Sequence, residues 1–130
     1  MLETTTTQVP NATVEKFARF WADPHPELLR NGVTDDVAVY YPGQSEPQCG
    51  PEAYIANVQR YLQLVPDLRL DVLDYACNGD VTFVRWMARG TGVNGCFEMP
   101  GIDCIRTCDG LVAENHVTYD SAEFARATSG

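Results

Sequence analysis

The chain has 130 residues, enough for one domain with a real core, and its 45% hydrophobic and 21% charged residues mark it as globular rather than disordered. Its 18 acidic against 9 basic residues leave a net charge of −9, which argues against nucleic acid and anionic membrane surfaces as partners. No apolar run approaches the roughly 18 residues that span a bilayer.

Residues 1–11 carry neither a basic start nor an apolar stretch of the secretory kind, so a flexible N-terminal tail and a cytoplasmic protein are expected. Over residues 12–22, Val14, Phe17, Ala18 and Trp21 recur at helical spacing, with Asn11 or Thr13 placed to cap the helix. Asp23-Pro24-His25-Pro26 breaks it, and residues 27–32 read as a short second helix ending at Gly32. Val37 to Tyr41 is a strand that runs into a Pro/Gly-rich turn. Gly50-Pro51 then opens the longest helix, whose buried stripe is Tyr54, Ile55, Val58, Tyr61, Leu62 and Val65.

After Pro66 the period changes to two. Strands are expected from Leu68 to Tyr75, Val81 to Arg89, Cys96 to Cys108 and Leu111 to Tyr119. Asn78-Gly79 and Asp109-Gly110 give hairpin turns between them. Helices on one side of a curved four-strand antiparallel meander make an α+β cone with an internal hydrophobic pocket. A single domain over 12–121 follows, with 122–130 as a C-terminal tail. The five cysteines, at 49, 77, 96, 104 and 108, have neither zinc-knuckle nor disulfide spacing and read as reduced thiols. Two histidines without matching spacing imply no metal, and no glycine-rich phosphate loop implies a nucleotide; no cofactor is expected.

Three stretches carry a family resemblance. Thr34 to Gly50 resembles the strand and turn of the ketosteroid isomerases, and Gly101-Ile102-Asp103-Cys104-Ile105 their later strand with the oxyanion-hole acid. Asp109-Gly110-Leu111-Val112-Ala113-Glu114-Asn115-His116 resembles a run of the SnoaL-like polyketide cyclases. With the element order, these identify a member of the NTF2-like superfamily over about residues 12–120. Carried over position by position, the isomerase base falls on Tyr41 and its oxyanion tyrosine on Phe17, while the protonated aspartate falls on Asp103. The last-strand carboxylate of the cyclases falls on Val117, or near Asp120 in a shifted register. The Arg-x-Asp pair of limonene epoxide hydrolases falls on Arg85 and Met87.

Strand alternation and these resemblances together point Asp103, Asn115, Val117, Tyr119, Val39 and Tyr41 inward, with Phe83, Arg85 and Met87 on the inner face of their strand. Asp103 is the expected acid–base group; the alternatives are an ion pair with Arg85 or a surface aspartate. Tyr41 would donate to a carbonyl or enolate oxygen, and Arg85 and Asn115 would polarise or orient the ligand. Phe17, Trp21, Val39, Tyr54, Phe83, Met87, Val117 and Tyr119 would line the pocket. His25 and His116 read as surface or interface residues. Trp86 is expected on the sheet's outer face, where it would suit a homodimer interface.

The function implied is an isomerase, cyclase or lyase moving protons on a small hydrophobic oxygenated substrate such as a polyketide, terpenoid or steroid. Missing family carboxylates at 41, 87 and 117 favour a non-catalytic ligand-binding or dimeric module instead. Epoxide opening with Arg85 holding the oxygen is a third reading.

Overall fold

The computed structural model describes residues 11–129; apart from Asn11, the expected N-terminal tail lies outside the described residues. Helix α1 (Ala12–Ala22) is capped by Asn11, whose Oδ1 accepts from the Val14 amide at 2.9 Å, so Thr13 is not the cap. A 3-10 helix (Pro26–Gly32) leads into β1 (Val33–Tyr40), which starts four residues before the expected Val37. The two-residue β2 (Gln48–Cys49) lies in what reads as irregular turn and pairs antiparallel with β1. At the start of α2 (Pro51–Leu64), Gly50 adopts φ 91° while its amide bonds the Val37 carbonyl at 2.8 Å. A side chain at that φ would be strained, so glycine is what lets α2 leave the sheet edge there.

Strands β3 (Arg69–Asn78), β4 (Val81–Gly92), β5 (Gly95–Cys108) and β6 (Leu111–Tyr119) form the expected meander. The sheet is larger than that meander. Its order is β2-β1-β6-β5-β4-β3, with β1 joined to β6 as a parallel pair. The sheet is curved and open, the α+β architecture expected of an NTF2-like cone. Register shifts between Val72 and Asp74 and between Arg106 and Thr107 bend individual strands.

The expected C-terminal tail over 122–130 is corrected: α3 (Ser121–Ser129) is a helix. Asp120 Oδ1 accepts from the amides of Ala122 and Glu123 at 3.0 and 3.1 Å, capping its first turn. Phe124 packs on the core, and the Val93 amide donates to the Ala127 carbonyl at 2.8 Å, tying α3 to the β4–β5 turn. Asp120 is therefore a cap, which accounts for a carboxylate at that position.

Two buried clusters fill the interior. The larger joins Val14 and Phe17 of α1 to Val65, Leu68, Leu70, Val84, Trp86, Ala88 and Ile105. The smaller is Val33, Val37, Val39 and Tyr41. Between them lies the cavity.

Candidate functional site

Asp103 sits at the centre of β5's inner face and is 6% exposed. Register decides its neighbours. Directly opposed residues on paired strands share a face, and β5 pairs Asp103 with Val84 of β4 and Val117 of β6. Inward-facing β4 residues are therefore Thr82, Val84, Trp86 and Ala88, all buried. This corrects two expectations at once. Phe83, Arg85 and Met87 are on the outer face, where Phe83 is 46% exposed. Trp86 is inward and 3% exposed, so it is unavailable to an outer-face dimer interface.

Arg85 is bound outside the cavity by Asp74, at 3.0 and 2.9 Å through Nε and Nη2. Asp74 lies opposite it on β3, and this partner settles the arginine on that face. Arg85 therefore neither neutralises Asp103 nor reaches a ligand in the cavity.

Asp103 is held by two neutral donors. Trp86 Nε1–H donates to Oδ1 at 3.0 Å and Asn115 Nδ2 donates to Oδ2 at 2.9 Å. Gly101 makes the first bond possible. It faces Trp86 across the β4–β5 ladder, and a Cβ there would stand 2.1 Å from the indole Cη2. The indole occupies the volume that any side chain at 101 would claim. Burial pushes the Asp103 carboxyl up to about 6, against the two hydrogen bonds that favour its anion. Ionised at neutral pH yet easily protonated, it has the pKa of a group that can take and return a proton.

Tyr41 follows the end of β1 and is 7% exposed, with a hydroxyl that has no partner among the described residues. Its phenol is pushed far above the usual range by burial, then by Tyr54, Asp103 and Tyr119, with Arg60 acting the other way. It therefore stays protonated and can donate. Tyr54 is raised too, by burial and by Asp103, with Asn115 opposing. Asn115 is 2% exposed; its Nδ2 donates to Asp103 and its Oδ1 has no partner among the described residues.

These groups line a cavity of about 60 Å³ that is partly open to solvent, so a ligand can extend beyond it. Trp21, Tyr54, Val117 and Tyr119 line it as expected; Phe17 and Val39 do not, being packed into the two core clusters instead. Trp86, Tyr61, Met99 and Phe124 line it without having been expected there. Tyr61 Oη and Tyr119 Oη are 2.7 Å apart, and Phe124 of α3 packs edge-on against both rings at 5.7 Å. Tyr61 was already in the apolar stripe of α2; Phe124 falls in the segment taken for a tail.

The histidines stand apart from the cavity. His116 is on the outer face, 2.9 Å from Glu114 and stacked on Tyr40 with centroids 4.2 Å apart. His25 is exposed beside Asp23 at 3.2 Å. Among the described residues, no three His, Cys, Asp or Glu side chains are grouped to hold a metal ion, and no helix is long and apolar enough to cross a membrane.

A family model described as the SnoaL-like domain matches residues 14–115. The chain belongs to the SnoaL-like domain family. Solved structures extend the likeness at low identity. A protein of Jannaschia sp. CCS1 called a SnoaL-like polyketide cyclase superposes with a TM-score of 0.81 at 18% identity, covering 95% of this chain and 99% of that one. A protein of Catenulispora acidiphila DSM 44928 with a ketosteroid isomerase-like fold, solved with trimethylamine, gives 0.82 at 15% identity over 92% and 94% of the two chains. IdmH of Streptomyces antibioticus, also called a polyketide cyclase, gives 0.75 at 23% identity over 85% and 91%. At such identities the likeness establishes the fold. No curated protein matches the chain. What a SnoaL-like domain does is decided by its cavity residues, and here those centre on Asp103.

Proposed function

We propose that this SnoaL-like domain is an enzyme that moves protons on an apolar, oxygenated small molecule, by isomerisation, cyclisation or dehydration. One observation carries the reading. A buried carboxyl, fixed by two neutral donors and pushed up to about 6, faces an apolar cavity whose lining, among the described residues, contains no cation. A carboxylate kept only for structure would be expected to have a cationic partner or to lie in water.

The side chains suffice for the chemistry. Asp103 takes a proton from the carbon next to a substrate carbonyl, and the C–H electron pair moves onto the carbonyl oxygen as an enolate. The Tyr41 hydroxyl donates a hydrogen bond to that oxygen as its charge grows. The proton on Asp103 then returns to a different carbon in an isomerisation. In a dehydration it goes to the departing hydroxyl. In a cyclisation the enolate carbon attacks a second carbonyl, and Asp103 protonates the new alkoxide. A base with pKa near the working pH is suited to both halves of such a cycle.

Asp103→Asn tests this in a screen of enones and polyketide-like carbon acids. Turnover lost at least a hundredfold with the fold intact is the expected result; full turnover in the variant would remove Asp103 from the mechanism. A binding module without turnover is the second reading, supported by Tyr41 and Val117 standing where relatives of this fold carry carboxylates. Epoxide opening is not proposed, because Arg85, its central residue, is turned away from the cavity.

A further inference from the structure

The cavity has an unused hydrogen-bonding polarity. Asp103 ionised accepts only, so the Asn115 amide must turn its Nδ2 toward it, as the 2.9 Å contact shows. That orientation leaves Asn115 Oδ1, a pure acceptor, buried without a partner among the described residues. The Tyr41 hydroxyl is the other such group, and its raised phenol leaves it a donor. Both residues are more than nine-tenths buried. They also lie on one wall. Val39 is the register partner of Asn115 in the parallel β1–β6 pair, and Tyr41 is two residues further on the same face. Two residues along the strand and one strand across put their backbones roughly 8 Å apart, within the span of one small ligand.

Charge narrows the ligand further. Among the described residues, Asp103 is the only acidic or basic side chain lining the cavity. A carboxylate or phosphate would bring a second anion beside it with no cation in the described lining to offset either; Arg60 acts on Tyr41, Tyr61 and Tyr119 only from outside that lining. Arg60, whose Nη2 donates to Asn57 Oδ1 at 2.6 Å, is exposed and lies outside the lining. The walls around the polar pair are otherwise aromatic and aliphatic.

We propose that Tyr41 and Asn115 are a specificity pair that selects an uncharged hydroxy-carbonyl compound: Tyr41 Oη–H donates to the carbonyl oxygen, and Asn115 Oδ1 accepts from the neighbouring hydroxyl. The proposal rests on the cavity assigned above and names the ligand class for that site. A ligand with the carbonyl alone leaves Asn115 Oδ1 buried and unpaired, and one hydrogen bond of this kind is worth roughly tenfold in affinity.

Maltol, a flat hydroxy-ketone uncharged at pH 7, is the probe, titrated by calorimetry and by tryptophan fluorescence. The comparison ligands are its O-methyl ether, benzoate and tetramethylammonium. The expected order is maltol first, its ether roughly tenfold weaker, and no measurable benzoate binding. Tyr41→Phe should weaken maltol roughly tenfold and leave the ether-to-maltol ratio unchanged, since that ratio reads Asn115. Absence of maltol binding would overturn the proposal, as would equal affinity for the ether. Tighter binding of tetramethylammonium would also overturn it, because the aromatic walls beside Asp103 would then be acting as a cation cage. Maltol is not itself turned over, so the two assignments fail separately. Turnover of carbon acids without maltol binding removes the specificity pair and keeps the acid–base group. Maltol binding without turnover of any carbon acid does the reverse.

Discussion

Replacing Asp103 by Asn should change how stability depends on pH, with a sign fixed by the site. The carboxyl is raised from 3.8 to about 6 in the folded protein, chiefly by burial. Between those values the folded chain holds a proton that the unfolded chain has released. Stability from this group is therefore greatest below about pH 4 and is lost as pH rises toward and past about 6. The rise from 3.8 to about 6 makes the full loss roughly 3 kcal/mol. Asn fills nearly the same volume and never ionises. Trp86 can still donate to its carbonyl oxygen, and Asn115 can turn its amide to offer Oδ1 to the new NH₂ group. The assay is urea unfolding of both proteins at pH 4, 5, 6 and 7. Exposed carboxylates contribute equally to both and cancel in the difference. Relative to the variant, the wild type should lose roughly 2 to 2.5 kcal/mol across that range, because the unfolded carboxyl is already partly ionised at pH 4, with unchanged m-values. A flat difference would mean that burial does not raise the Asp103 carboxyl, and a wild type that gains on the variant as pH rises would mean that it is stabilised as an ion; in either case the proton-transfer argument would lose its basis.

Two further substitutions test the geometry around it. Gly101→Ala places a Cβ 2.1 Å from the Trp86 ring, so the indole must move off Asp103 Oδ1. Overpacking there should cost about 1–3 kcal/mol in a urea melt, and losing a donor to the anion should carry the acid limb of the pH–rate profile to higher pH; an unmoved limb would detach Trp86 from the site. Arg85→Ala removes an exposed ion pair with Asp74 on the far face of the sheet. Turnover and maltol affinity should both stay within twofold of wild type, and a tenfold fall in either would put Arg85 back in the mechanism.

How much of this could be read from the chain alone differs strand by strand. On β5 and β6 the more apolar alternation is the one that carries Asp103 and Asn115, and the family resemblance points the same way, so together they give the inward direction the structure has. The meander follows from its Asn-Gly and Asp-Gly turns. On β4 both alternations are apolar. Phe83 and Met87 compete with Val84, Trp86 and Ala88, and local pattern cannot rank them. The resemblance to an Arg-x-Asp pair points Arg85 inward, whereas the structure turns it outward. What decides the face is non-local. Gly101, placed opposite Trp86 by the β4–β5 register, leaves a gap of indole size on the inner face, while Asp74 on β3 supplies Arg85 with a partner outside. Helix α3 is hard to see in the sequence for a related reason. Its residues have a weak apolar pattern with Phe124 as the one large anchor, and its capping signal, Asp120 three residues before Glu123, coincides with the place where a shifted register would put a family carboxylate. Both cases involve charged residues near positions where family carboxylates and arginines occur. Solvent-side pairing and capping account for both Arg85 and Asp120, and the acid–base argument is left resting on Asp103, the charged side chain for which the structure supplies burial, two neutral donors and no counter-ion.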